Sequence, residues 1–167
     1  MAGVSVNIHA TCLRLAAAGR PFGAPPDCGV LLLGPSGSGK SDLALRLIAA
    51  GAVLVADDRT DLFVRRGRLY GRAPARLAGL FEIRGLGIVA LAHAREARIA
   101  LVVKMGRCGQ RLPAHRRYAP PAALGPLAKA APPIITLSPF EASAPAKLAA
   151  ATAAYARGLH REDANPI

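Results

Sequence analysis

The sequence predicts a mixed α/β domain in which a short buried strand delivers a phosphate-binding loop to a helix. Three observations predict it. The octapeptide GPSGSGKS, Gly34 to Ser41, lies between the apolar run Gly29 to Leu33 and a helical pattern. A second apolar run, Val53 to Ala56, ends in the adjacent acids Asp57 and Asp58. Further apolar segments of strand length, bounded by Gly, Pro and charged residues, recur along the chain.

Taken in order, Val4 to His9 alternates, with Val4, Val6 and Ile8 on one face, and reads as a strand; a second follows near Cys12 to Leu15. Gly19 to Asp27 contains Pro21, Gly23, Pro25 and Pro26 and reads as a turn. The helix begins near Lys40, because Leu43, Ala44, Leu47 and Ile48 fall on one face, and Gly51 marks its end. Val53 to Ala56 is a buried strand, and Leu62 to Arg65 with Arg68 to Tyr70 flank Arg66-Gly67 as a hairpin. Phe81 to Ile83, Ile88 to Leu91, Ile99 to Val103 and Ile134 to Leu137 complete the strands. Between Gly106 and Pro133 no period is readable. An alanine-rich helix starts near Pro145, behind Ser143, and ends by Gly158, leaving residues 159–167 as a frayed polar tail. Length and continuity predict one domain over residues 1–167.

Composition excludes several classes. The chain is 52% apolar and 19% charged, which is the balance of a folded domain and not of a disordered one. No stretch approaches the length of a membrane-spanning helix, and Met1 to Arg20 lacks the charged start and apolar block of a secretory signal. A cytoplasmic location is expected. Cys12, Cys28 and Cys108 are far apart and form no C-x-x-C pair, so they read as reduced thiols filling buried apolar positions. The net charge of +12 is compatible with nucleic acid, an anionic surface or an acidic protein, and equally with a base-composition bias toward arginine. Charge alone supports nucleic-acid binding. Beside the basic residues Arg107, Arg111, Arg116 and Arg117 the only aromatic is Tyr118, which makes no stacking platform.

The chemistry concentrates in three segments. Gly34 to Ser41 fits the G-x-x-x-x-G-K-[ST] pattern. Its glycines let successive backbone N–H groups turn inward around phosphate oxygens, with Pro35, Ser36 and Ser38 completing the loop. The helix N-terminus adds its positive dipole, Lys40 an ammonium for the outer phosphates, and Ser41 a hydroxyl for Mg²⁺. In the pair Asp57-Asp58, one acid can serve a metal while its neighbour takes a proton, although a strand-end turn also favours Asp. In Phe81 to Val89, Glu82 and Arg84 would share a strand face, as a ligand-facing edge or as a solvated ion pair. His9 alone reads first as a structural histidine, and Arg111 as a solvated cation.

Together the His-bearing strand, GPSGSGKSDLAL, LVADDRTDL and EIRGLGIV resemble the catalytic domain of the HPr kinase/phosphorylase family. The resemblance is strongest over residues 29–89. It implies a P-loop kinase domain related to phosphoenolpyruvate carboxykinase, with a central mixed sheet and flanking helices. It also implies transfer of phosphate from ATP, with Mg²⁺, to a serine of the phosphocarrier HPr, with reversal by phosphorolysis in many members. Carried over by motif, Gly34, Pro35, Ser36, Gly37, Ser38, Gly39, Lys40 and Ser41 would hold the phosphates, and Ser41 and Glu82 the metal. Asp58 would be the base, with Asp57 supporting the metal or His9, and Arg111 would neutralise the phosphoryl group. The resemblance further implies a short form without the N-terminal domain of long members, and a homo-oligomer, often a hexamer. Ser138 to Pro145 stands where long members carry a basic loop used in dephosphorylation, which weighs against phosphorolysis. A P-loop kinase for a small metabolite, with Gly106 to Arg117 as its lid, and a non-catalytic ATP-dependent sensor are the alternatives.

Overall fold

The computed structural model describes residues 3–109, 116–127 and 131–159. Strand β1 (Ser5–His9) runs through Ala10 directly into β2 (Thr11–Arg14). After β3 (Cys28–Leu33) and helix α1 (Lys40–Ala49), strand β4 (Val53–Ala56) runs through Asp57 and Asp58 into β5 (Arg59–Arg65). These two continuous segments lie antiparallel. His9 faces Arg59 on one side of the junction, and Cys12 faces Ala56 on the other. With β6 (Arg68–Arg72) and β9 (Ala97–Met105), the sheet order is β1-β5-β6-β9-β3-β2-β4. Each end strand is therefore the continuation of the strand next to the opposite end. The sheet curls round and closes at a corner formed by Ala10, Asp57 and Asp58.

Strands β3 and β9 are parallel, with Cys28 beside Arg98 and Leu33 beside Lys104. On its other edge β9 has two partners: antiparallel β6 at its start and parallel β11 (Pro133–Leu137) at its end. The two-residue β10 (Arg116–Arg117) adds to β11. Strands β7 (Leu80–Ile83) and β8 (Gly87–Ala90) form a separate hairpin. The second helix, α2 (Ala144–Ala156), has proline in its first turn.

The period of two divides the core. Leu13, Val30, Leu32, Leu101 and Val103 face the helices and pack with Leu43, Leu47, Phe81 and Leu148. Their neighbours Cys12, Leu31 and Val102 face into the curl, with Val55, Leu62 and Leu69. Helix α1 stops at Gly51, where Gly51 N–H donates to the Ile48 carbonyl and Ala52 N–H to that of Leu47, a Schellman closure that returns the chain to β4.

Several expectations are corrected. The first part of the expected Gly19 to Asp27 turn belongs to a 3₁₀ helix, Ala16–Phe22, in which Ala18 and Gly19 are buried. Strand β9 extends at both ends beyond Ile99 and Val103, held on both edges. Cys12 and Cys28 are buried, which pushes their thiols up to about 12 and about 11, but Cys108 is exposed, just beyond the end of β9. Among the described residues no helix is long and apolar enough to cross a membrane.

Candidate active site

Strand β3 ends at Leu33 and the loop Gly34 to Lys40 turns the chain into α1. Gly39, at φ +93°, precedes the helix, and its first-turn acceptor role is filled when Leu43 N–H donates to the Gly39 carbonyl at 3.0 Å. A Cβ on Gly39 would lie 2.7 Å from Pro139 Cγ and 2.9 Å from Phe140 Cζ, so both backbone angle and space require glycine. Pro139 and Phe140 are held against the loop by Arg46 of α1. Its guanidinium donates to the Pro139 carbonyl and, at 3.1 Å, to the Glu141 carbonyl, while Asp42 accepts from its Nε at 3.1 Å.

Lys40 is 6% exposed. Its Nζ donates to the carbonyl oxygens of Gly34 at 2.7 Å and Pro35 at 3.0 Å. Burial lowers the ammonium pKa from the ordinary lysine value, and the fields of Asp58 and Asp57 only partly oppose this. Beneath the loop, Ser38 Oγ is buried with no protein partner.

The corner of the curled sheet supplies the acids. Asp57 is 8% exposed; its Oδ1 accepts from Thr11 Oγ1 at 3.0 Å and its Oδ2 from the Glu82 N–H at 3.1 Å. Burial raises its carboxyl pKa above the usual range, outweighing these hydrogen bonds. Asp58 is turned the other way. It sits at φ +59°, inside a γ-turn closed by Arg59 N–H on the Asp57 carbonyl at 2.6 Å. Such a backbone costs about 1–3 kcal/mol and persists because neighbours fix it. Here the Ala10 N–H, donating to the Asp58 carbonyl at 3.1 Å, is one of them. The Asp58 side chain is exposed, and its Oδ1 lies 2.6 Å from His9 Nε2.

A cleft of about 370 Å³ brings these groups together. Of the residues singled out from sequence, His9, Ser36, Gly37, Gly39, Lys40, Ser41, Asp57, Asp58 and Glu82 line it. Gly34, Pro35 and Ser38 form the back of the loop instead, where two of them hold Lys40. Arg111 lies outside the described residues. The histidine's partner is Asp58 and not Asp57, because Asp57 turns inward to Thr11. Glu82 and Arg84 do not share a strand face, since β7 ends at Ile83 and Arg84 opens the turn, yet both reach the cleft. Thr11, Phe140 and Arg46 were not singled out from sequence. Thr11 alone had a readable signal: two residues beyond His9, it lies on the same side of a nearly continuous strand pair.

The donors fit a hard cation. Ser41, Asp57 and Glu82 offer oxygen alone, and among the described residues no cluster of three or more His, Cys, Asp or Glu forms a closed metal cage. Mg²⁺ characteristically uses one or two carboxylates and completes its shell with water and substrate phosphates.

The family profile described as the HPr Serine kinase C-terminal domain matches residues 26–113, which span β3 to the segment beyond β9 and include every cleft acid. The chain belongs to the HPr serine kinase C-terminal domain family. Over 103 residues it is 44% identical to the HPr kinase/phosphorylase of Cupriavidus necator, covering 54% of this chain and 32% of that protein. Over 61 residues it is 49% identical to that of Clostridium tetani, covering 36% of this chain and 20% of the relative. The chain thus spans about a third or less of the length of these curated relatives. The solved Hpr(Ser) kinase/phosphatase from Coxiella burnetii superposes with a TM-score of 0.65 at 24% identity, covering 86% of this chain and 91% of that one. That likeness establishes the expected α/β fold, with the mixed central sheet curled and the helices few.

Proposed function

We propose that this chain is an ATP-dependent serine kinase acting on an HPr-type phosphocarrier, and that residues 1–167 work as one catalytic domain. The observation that carries this reading is the exposed Asp58 carboxylate, anchored on His9 above the same cleft as the phosphate loop. The loop N–H groups and the start of α1 receive the phosphates. Lys40, desolvated and hydrogen-bonded to two loop carbonyls, gains from an arriving anion that sets a counter-charge in direct contact with it. Mg²⁺, when bound, neutralises phosphate charge, and Ser41 and Glu82 are the residues that would hold it, with Asp57 behind them. With Oδ1 fixed by His9, Asp58 Oδ2 takes the proton of the acceptor serine as its oxygen forms the bond to the γ-phosphorus and ADP leaves. His9 is a positioning residue: His9→Ala lowers kcat while leaving the KM for ATP unchanged.

The test is incubation with ATP, Mg²⁺ and the HPr of the same genome, reading phosphoserine by mass spectrometry. Wild type forms it; Lys40→Ala and Asp58→Ala do not. Absence of phosphoserine with wild type and a folded acceptor overturns the reading. Adding inorganic phosphate to the phosphorylated product and measuring pyrophosphate asks whether the chain also runs phosphorolysis. A cytoplasmic location is part of this proposal, since it is where the proposed acceptor would be met. The family resemblance also supports self-assembly, as a hexamer, which sedimentation velocity reads directly. Family membership favours neither a metabolite kinase nor a non-catalytic sensor.

A further inference from the structure

Strand β9 is irregular at a place remote from the cleft. On one edge, β6 pairs only with Ala97 and Arg98, and β11 only from Val102 onward, so the two neighbours part and leave residues 99–101 between them. On the other edge the β3 register slips: Gly29 faces Ile99 but Val30 faces Leu101, so Ala100 is an extra residue in β9. Bulges of this kind leave one residue outside the ladder and re-aim its neighbours, and they concentrate next to functional sites.

A crevice of about 160 Å³ fills this fork. Arg68 of β6, Arg98 of β9 and Arg117 of β10 converge on it, over a floor that includes Ile99 and Ala100, and no carboxylate is among its described lining residues. Asp27 reaches Arg98 only at 3.5 Å and is itself 63% exposed. Arg98 is only 17% exposed, so a guanidinium is held in a crevice by one long, solvated ion pair. Arg117 donates through Nη1 to the Ala131 carbonyl at 3.1 Å, which fixes its side chain at the rim.

We propose that this fork is a second anion site, built for a compact phosphate dianion and separate from the nucleotide cleft. Three guanidinium groups from three strands offer the forked donor geometry that matches phosphate oxygens. The volume is well below the roughly 300 Å³ at which pockets begin to take drug-sized ligands. It fits a phosphate group with little attached and excludes a nucleotide. The site also lies at the wrong end of the sheet to be part of the cleft. Arg98 stands beside Cys28 at the start of β3, and the phosphate loop begins at Gly34, about 20 Å farther along the strand.

The experiment is a titration followed by amide NMR and calorimetry on the full chain, with inorganic phosphate and, separately, phenyl phosphate as a phosphomonoester. It uses wild type, Lys40→Ala, Arg98→Gln and Arg117→Gln. In Lys40→Ala, added phosphate is expected to shift the amides of Ile99 and Ala100, and each arginine substitution to weaken that binding about tenfold. Arg98→Lys, which keeps the charge but loses the fork, is expected to fold as wild type and to bind at intermediate strength. The tighter of the two probes identifies the source as free phosphate or as an ester. Unmoved Ile99 and Ala100 amides with both probes, or binding indifferent to both arginine substitutions, overturns the proposal. The outcome is independent of phosphotransfer, because no residue of the fork lines the nucleotide cleft.

Discussion

The floor and the wall of the cleft are specified in opposite ways. The floor, Gly34 to Ser41, is set by backbone: left-handed glycines, a lysine folded onto loop carbonyls, and a close approach from Pro139 and Phe140. The wall is the β7–β8 hairpin, whose root is locked by the buried Phe81 while its outer part carries Leu86 and Ile88 about 70% exposed. A floor defined by conformation resists an added atom most where a neighbour closes on it, as at Gly39, and less where space is open, as at Gly37. A wall anchored by Phe81, with Ile83 and Val89 packed beside it, tolerates change at its exposed tip.

Removing chemistry from the floor gives the largest effect. Lys40→Ala is expected to lower kcat/KM for phosphotransfer about 10³-fold, the scale for losing a preorganised charge at a transition state, with the protein still folded by circular dichroism. Next, Phe81→Ala should cost about 3–5 kcal/mol in urea denaturation, because it empties a core position at the root of the wall. Gly39→Ala should cost about 1–3 kcal/mol through angle and clash together, whereas Gly37→Ala, at φ +79° but in open space, should cost about 1 kcal/mol. Equal costs for the two glycines would remove the close approach from the comparison.

A smaller effect tests the corner. Burial holds Asp57 protonated to higher pH in the folded chain than in the unfolded one. Its contribution to stability is therefore fully present below the unfolded carboxyl pKa and is lost as pH rises through the raised folded value. Asp57→Asn should flatten that part of the stability-versus-pH curve measured by thermal unfolding. An unchanged slope would mean that Thr11 and the Glu82 N–H fully offset the burial. Smallest of all, Leu86→Ser at the tip should leave stability within about 0.5 kcal/mol.

The parts of this molecule that the sequence makes legible are those written in consecutive residues. The phosphate loop, the face of α1 and the apolar run of β4 each carry their own signal, and each lies where that signal puts it. The hairpin at Arg66-Gly67 does too, though its strands run from Arg59 to Arg72 because ladders on both sides extend them. The His9–Asp58 contact was not legible. It joins residues 49 apart and depends on the curl of the whole sheet, so adjacency of the two aspartates could not say which one faces the histidine. Arg46 was not singled out from sequence. Only the fold shows it stapling the segment that covers Gly39.

The curl has an evolutionary consequence. The proposed grip on phosphate is a contiguous cassette, which a recombination event can move intact onto another strand and helix. The proposed proton-handling pair, His9 with Asp58, is a rendezvous between distant stretches of chain, made only when the ring shuts. Such a pair cannot be borrowed piecemeal, so lineages that keep the cassette but lose the ring would inherit affinity for nucleotides without the means to deprotonate an alcohol.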